Sequence, residues 1–265
     1  MSIKQSFQNI KGLLIDIDGT LYFKEKPIPK SIETVSKLRE TGLKLLFLTN
    51  TDSKTPITIL KILEDYGFQV WKDEIFTPII ALKEFLSKYT DKKFYFVTTA
   101  EVSKEFQEFR HVEGSEIPDF VIISDFHDNW DVNRLNLAFK FVLKGAKLLG
   151  TQGNKYYLDR YGEPVIDTGS FIQMIATAAN VVPRIFGKPS KEYFLQALER
   201  LILKPDDVCV IGDDLESDIQ GGINAGIKGI LVKTGKGQFY DPSKSDIEPY
   251  LVLDSFSSII ELIKL

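Results

Sequence analysis

Cysteine is almost absent: the 265-residue chain holds one, Cys209, set in the apolar run Val208-Cys209-Val210-Ile211. A lone thiol excludes an internal disulfide and any zinc site built on more than one thiolate, and its setting reads as a small buried apolar residue. Histidine is nearly as scarce. His111 and His127 are the two; neither falls in a motif, so both are assigned to packing or to the surface. No apolar stretch approaches the ~20 residues that cross a bilayer, and Met1 to Lys11 lacks the apolar core of a signal peptide. No membrane partner is expected, and the cytoplasm is the expected compartment. An excess of charge of either sign is also missing, since 33 Lys and Arg stand against 37 Asp and Glu for a net charge of −4. The lysines are scattered among acids without forming a basic stripe, which argues against nucleic acid as a partner. Repeats and low-complexity segments are lacking too.

What is present is an ordinary soluble globular composition, 43% hydrophobic and 26% charged, in a chain long enough to bury a core without staples. That length suits one large domain, or a core of ordinary size carrying a smaller one. Short apolar runs alternate with helical patterns. Leu13-Leu14-Ile15 reads as a buried strand ending at Asp16. Ile32, Val35 and Leu38 give a helical stripe closed near Gly42, and Leu43 to Leu48 is a second strand ending at Thr49. Thr55-Pro56 reads as an N-cap with Pro in the first turn, and Gly67 suits the C′ position of that helix. Ser190 is placed as the cap of a helix carrying Phe194, Ala197, Leu198 and Leu201. Val208 to Ile211 and Gly229 to Val232 are further buried strands. The alternation predicts βαβ units: an α/β, Rossmann-like parallel sheet with helices on both faces.

The middle section has its own pattern. Phe94 to Val97 and Phe120 to Ile123 read as strands and Leu135 to Leu143 as a helix. Leu148 to Thr151 and Tyr156 to Leu158 read as strands around a turn at Gly153-Asn154. This stretch is expected to form a smaller α/β cap domain at 79–183, inserted into a core made of 1–78 and 184–265.

In an open parallel sheet, ligands gather outside the carboxyl ends of the strands. Three predicted strands deliver polar residues there: Asp16-Ile17-Asp18-Gly19-Thr20, Thr49-Asn50, and Gly212-Asp213-Asp214 with Asp218 beyond. Gly187-Lys188-Pro189 precedes the helix capped at Ser190. Several carboxylates at one edge repel one another unless a cation lies between them, and oxygen ligands in that number suit Mg²⁺. Lys188, the Thr49 hydroxyl and the Asn50 backbone N–H suit a phosphate. Together these pieces read as a phosphoryl-transfer site. Asp16 suits nucleophilic attack on phosphorus, and Asp18 suits proton donation to the leaving oxygen and later proton removal from water. Gly235-Lys236 is faintly like a P-loop, but the glycine spacing is wrong and no Ser or Thr follows the lysine. Trp130 is assigned to packing.

These four ordered motifs resemble those of the haloacid dehalogenase superfamily. The resemblance implies Asp16 as nucleophile and Asp18 as acid/base. It implies magnesium held by the Asp16 carboxylate, the Asp18 backbone carbonyl and Asp213. Thr49, Asn50 and Lys188 become phosphate ligands and Asp218 an outer partner, while Asp214 is left open between the acidic roles. The long insert between Thr49 and Lys188 resembles the branch with a large α/β cap, which includes p-nitrophenyl phosphatases. Leu45 to Thr51, Gly145 to Tyr157, Phe186 to Pro189 and Val210 to Lys236 are similar to that branch. In it the segment Gln152 to Tyr156 often faces substrate, which makes Asn154, Lys155 and Tyr156 candidates. The implied activity is magnesium-dependent hydrolysis of a small phosphorylated metabolite through an aspartyl phosphate; a homodimer is an open option. Phosphotransfer to another acceptor, as in a mutase, and a non-catalytic phosphate-binding module are the competing readings. An intact Asp18 and the cap argue against the second of these.

Overall fold

The computed structural model describes residues 7, 9–112, 116–159 and 161–263. Most of the Met1 to Lys11 segment read for a signal peptide therefore lies outside the described residues. The chain divides into two compact units, one made of Met1–Thr49, Ile59–Phe76 and Lys191–Leu265, the other of Asn50–Thr58 and Thr77–Ser190. Relative to the sequence boundaries at 79 and 183, the second unit also takes in residues 50–58, 77–78 and 184–190.

The first unit opens with β1 (Gly12–Asp16), the short hairpin of β2 (Tyr22–Phe23) and β3 (Lys26–Pro27), β4 (Lys44–Leu48) and β5 (Ile75–Phe76). The second unit carries β6 (Phe94–Val97), β7 (Phe120–Ile123), β8 (Lys147–Gly150), β9 (Tyr156–Leu158), β10 (Pro164–Ile166) and β11 (Arg184–Ile185). The first unit then resumes with β12 (Val208–Gly212), β13 (Lys228–Val232) and β14 (Leu251–Leu253).

The first unit is a six-stranded sheet in the order β14-β13-β12-β1-β4-β5, with every pairing parallel. All five residues of β1 and of β12 are buried. That is why Leu13-Leu14-Ile15 and Val208-Cys209-Val210-Ile211 read as unbroken apolar runs: a strand covered on both faces has no solvent side to alternate toward. Leu13, Ile15, Phe47, Ile211 and Ile230 form one face of the core with Val35 and Leu38 of helix Ser31–Glu40 and Ile59 and Leu63 of helix Pro56–Asp65. Each such side chain, fully buried, contributes roughly 1.5–3 kcal/mol. Cys209 lies in this core, where burial pushes its thiol up to about 12.

Local chemistry sets the helix ends. The Thr58 N–H donates to Thr55 Oγ1 at 3.2 Å, ahead of a helix whose first residue is Pro56. At the other end Gly67 adopts φ +92°, and Phe68 N–H reaches back to the Leu63 carbonyl at 2.9 Å. A side chain at that left-handed position would be strained, so Gly67 closes the helix in a Schellman turn.

The second unit is a four-stranded parallel sheet, β11-β8-β7-β6. Val97, Val121, Ile123 and Leu148 pack against Leu135 and Phe141 of helix Val132–Leu143 and Ile172 and Ile175 of helix Thr168–Ala179. Phe94 and Phe120 stack at 5.6 Å, and Phe85 of helix Pro78–Leu86 meets Phe186 at 4.9 Å. Trp130 lies over Phe126 at 5.2 Å and meets Phe171 edge-on, so its role is packing. The predicted pairing around Gly153-Asn154 does not form. β8 pairs with β7 and β11, whereas β9 pairs antiparallel with β10. Buried β8 has parallel neighbours on both sides, so its hydrogen-bonding edges are already taken. Four strands with no clear sequence signal, β5, β10, β11 and β14, are two or three residues long.

Candidate active site

The sequence-predicted residues fall into two groups, one per unit. Asp16, Asp18, Thr49, Asp213, Asp214 and Asp218 belong to the first; Asn50, Lys188, Asn154, Lys155 and Tyr156 belong to the second.

In the first unit the parallel register does the positioning. Asp16 ends β1 opposite Leu48 of β4, and Thr49 follows directly. On the other side Ile15 pairs with Ile211, and Asp213 follows the end of β12. Three adjacent strands thus present Asp16, Thr49 and Asp213 at one carboxyl edge. All three are buried. Asp218 joins them: carboxylate oxygens of Asp16, Asp213 and Asp218 lie within 4.8 Å of one another. Burial, then the charges of Asp16, Asp218 and Asp214, hold the Asp213 carboxyl well above its ordinary range. Three crowded buried carboxylates are costly unless protonated or bridged by a cation. Oxygen-only donors at this spacing fit a hard divalent ion.

Neighbouring groups hold these carboxylates in place. Thr20 Oγ1 donates to Asp16 Oδ2 at 2.9 Å. Asp214 caps the following helical turn, accepting from the Glu216 and Ser217 N–H groups at 3.0 Å each, while its own N–H donates to Asp218 Oδ2 at 3.1 Å. Asp18 is exposed, unlike Asp16. The Tyr22 hydroxyl bonds to the Asp18 carboxylate, and burial together with that charge pushes the phenol well up. Gly19, at φ +86°, turns the chain between them and passes so close to Asp213 that no Cβ fits.

The loop after β13, set aside as a faint P-loop, belongs to this site. Lys236 N–H donates to Asp213 Oδ2 at 2.6 Å, and Lys236 Nζ donates to Asp214 Oδ2 at 2.6 Å. Thr234 Oγ1 donates to the Gly19 carbonyl at 2.6 Å. Gly235, at φ +50°, has Asp213 and Gly19 where its side chain would stand. The available signal was positional: Thr234-Gly235-Lys236 follows a parallel strand at the same edge.

In the second unit Asn50 clasps the backbone of Lys188. Its Oδ1 accepts from Lys188 N–H at 2.8 Å, and its Nδ2 donates to the Lys188 carbonyl at 2.9 Å and to Asn154 Oδ1 at 3.0 Å. Gln152 is buried; its Nε2 donates to Asp167 Oδ1 at 2.7 Å and its Oε1 accepts from Asn154 N–H. Lys155 lines a cavity of ≈ 810 Å³ with Gly153, Gln173, Met174, Ile185 and Pro189 among its walls. Tyr156 sits exposed on β9, paired with Ile166. His111 packs on Phe96 at 4.9 Å, and His127 is exposed beside Asp125.

The first unit is thus a parallel sheet with carboxylates clustered after adjacent strands. Residues 13–110 match the model of the haloacid dehalogenase-like hydrolases, and residues 185–259 match a second, HAD-hydrolase-like model. The chain belongs to the haloacid dehalogenase-like hydrolase family. It is similar to haloacid dehalogenase-like hydrolase domain-containing protein 2 of Bos taurus, with 31% identity over 95% of both chains. It is also similar to the phospholysine phosphohistidine inorganic pyrophosphate phosphatase of Xenopus laevis, 29% identical over 93% of this chain and 90% of the other. Among solved structures, the 4-nitrophenylphosphatase of Thermotoga maritima superposes with a TM-score of 0.87 at 25% identity, over 98% of this chain and 99% of that one. No helix among the described residues is long and apolar enough to cross a membrane.

Proposed function

We propose that this hydrolase is a magnesium-dependent phosphatase that hydrolyses small-molecule phosphomonoesters through an aspartyl phosphate on Asp16. The observation that carries the reading is the convergence of Asp16, Asp213 and Asp218 at the carboxyl edge of β1 and β12. Phosphatase relatives of this chain support it. Asp16, Asp213 and the Asp18 carbonyl would hold the ion, and Asp218, read from the sequence as an outer partner, lies close enough to the other two carboxylates to be a further ligand. Magnesium, when bound there, supplies charge neutralisation for the carboxylates and for a phosphate dianion.

An Asp16 carboxylate oxygen attacks phosphorus, and the ester oxygen leaves with a proton from Asp18. The Thr20 hydroxyl on Asp16 Oδ2 fixes the angle of attack. Water then attacks the aspartyl phosphate while Asp18 takes its proton, which regenerates Asp16 and releases phosphate. Asp18 is exposed while Asp16 is buried, as befits a group exchanging protons with water beside a shielded nucleophile. Thr49, Asn50 and Lys188 are the proposed phosphate ligands. The 79–183 insert is the proposed cap, with Asn154, Lys155 and Tyr156 proposed to face substrate.

Turnover of p-nitrophenyl phosphate with magnesium and with EDTA tests this directly. Asp16→Asn is expected to abolish turnover and leave the circular dichroism spectrum unchanged. Near-normal activity in that variant, or none in the folded native protein across a broad phosphomonoester panel, refutes the proposal.

A further inference from the structure

The segment directly after Asn50 carries a buried acid that the proposed chemistry does not use. Asp52 is 3% exposed. Its carboxyl accepts from the Thr151 hydroxyl and, at Oδ2, from the Asp125 N–H at 3.1 Å. The Thr168 side chain bonds to it as well. Its backbone carbonyl accepts from Ser124 Oγ at 2.7 Å. Ser124 and Asp125 follow β7, Thr151 follows β8, and Thr168 begins helix Thr168–Ala179. One side chain therefore ties residues 50–53 across the carboxyl ends of two parallel strands and to a helix N-terminus. Two further bonds hold the chain at Ser53 and just beyond it: Thr99 Oγ1 to the Ser53 carbonyl at 3.1 Å and Thr55 N–H to Glu101 Oε1 at 2.8 Å.

Asn50 stands two residues from this anchor, and its amide grips Lys188 at both backbone N–H and carbonyl. The loop after Thr151 is tied into the same system, because Asn154 Oδ1 accepts from Asn50 and Gln152 bridges Asn154 to Asp167. Two residues of backbone and the Asn50 amide thus link Asp52 to Lys188 and Asn154.

We propose that Asp52 is a positioning residue for the reaction: through Thr151 and the strand ends it sets where Asn50 and Lys188 present themselves to phosphate. This rests on the reading of Asn50 and Lys188 as phosphate ligands. The anchor must be a carboxyl or an isostere, since Asp125 N–H and Thr151 Oγ1 converge on its Oδ2, and without it Thr151 Oγ1 keeps only the longer 3.3 Å bond to the Ile123 carbonyl. Burial, together with the charges of Asp167 and Asp125, holds the Asp52 carboxyl well above its ordinary range.

Asp52→Ala, Asp52→Asn and Lys188→Met, each in the full chain with magnesium, are compared for p-nitrophenyl phosphate kinetics and for inhibition by inorganic phosphate, well below their melting temperatures. Asp52→Ala is expected to raise both KM and the phosphate inhibition constant on the order of tenfold, as misplaced binding groups do. Asp52→Asn restores both to within about threefold of the native values, because its amide oxygen accepts the same two bonds. An Asp52 that merely stabilises the fold would lower the melting temperature of Asp52→Ala and leave both constants unmoved, which overturns the proposal. Lys188→Met separates the two readings. An unchanged inhibition constant there sinks the phosphate-ligand assignment, whereas a raised one beside an unmoved Asp52→Ala sinks only the positioning role. Should Asp52→Ala not fold, Thr151→Val removes only the hydroxyl partner and carries the same expected rise in both constants; no rise overturns the proposal.

Discussion

Gly19→Ala tests whether the geometry of the acidic cluster, beyond its composition, carries the activity. Gly19 lies at φ +86°, and an added Cβ would meet the Asp213 carboxylate, the farther oxygen at 2.8 Å and the nearer atoms closer still. The carboxylate has little room to swing away. Lys236 N–H holds Oδ2 at 2.6 Å, and Gly235 crowds it from another side. The substitution therefore has two separable costs. The left-handed backbone costs an L-residue ~1–2 kcal/mol. In a chain of this size that corresponds to a fall of roughly 2–8 °C in Tm. The second cost is displacement of Asp213 by about 1 Å, which for a group aligned on the reacting centre lowers turnover on the order of 100-fold. Gly42→Ala is the control, because Gly42 has φ +77° and nothing within 4 Å of the added carbon. It should show a similar fall in Tm and native turnover. Both variants are to be measured by thermal melting and by p-nitrophenyl phosphate hydrolysis over a magnesium titration. If Gly19→Ala keeps turnover within about threefold of Gly42→Ala, Asp213 does not need its observed position and the reasoning fails.

Two further outcomes are expected. Magnesium should raise the Tm of the native protein, by the equivalent of about 2.7 kcal/mol at a hundredfold excess over Kd, and should raise that of Asp213→Ala far less; equal shifts would place the ion elsewhere. Asp52→Asn should become progressively more stable relative to the native protein as pH rises above about 4. The sign follows from the raised Asp52 carboxyl, which faces Asp167 and Asp125 and has an ordinary value of 3.8. Above that value the unfolded chain releases the proton while the native state retains it, so native stability falls with rising pH, and asparagine has no proton to lose. A difference in Tm that stays flat across that range would show that Asp52 titrates normally.

Much of the fold was legible because it follows from local rules. Leu13-Leu14-Ile15 and Val208 to Ile211 are unbroken apolar runs because both sheet faces are covered, and they end at the acids they deliver. Thr55-Pro56 and Gly67 mark a helix because N–H groups, carbonyls and left-handed φ are satisfied within a few residues. The short strands β5, β10, β11 and β14 carry too few residues for a period to show. The turn at Gly153-Asn154 was misread because local chemistry identifies a bend without identifying the partner of the strand beside it.

The residues themselves determined the ordered aspartates, the threonine and the lysine, and the parallel sheet that places strand ends in one row, since strand identity and chemical type are properties of short stretches of chain. Only the tertiary structure decided that Asp218 joins Asp16 and Asp213 while Asp214 serves as a cap. It alone decided that Thr234-Gly235-Lys236 closes on Asp213, and that Asp52 reaches Thr151. Those contacts join segments up to 215 residues apart, as Thr234 and Gly19 are. Their geometry depends on register, on which loops lie over which strand ends, and on where glycine lets two backbones approach, and none of these is written into the sequence at either end of the contact.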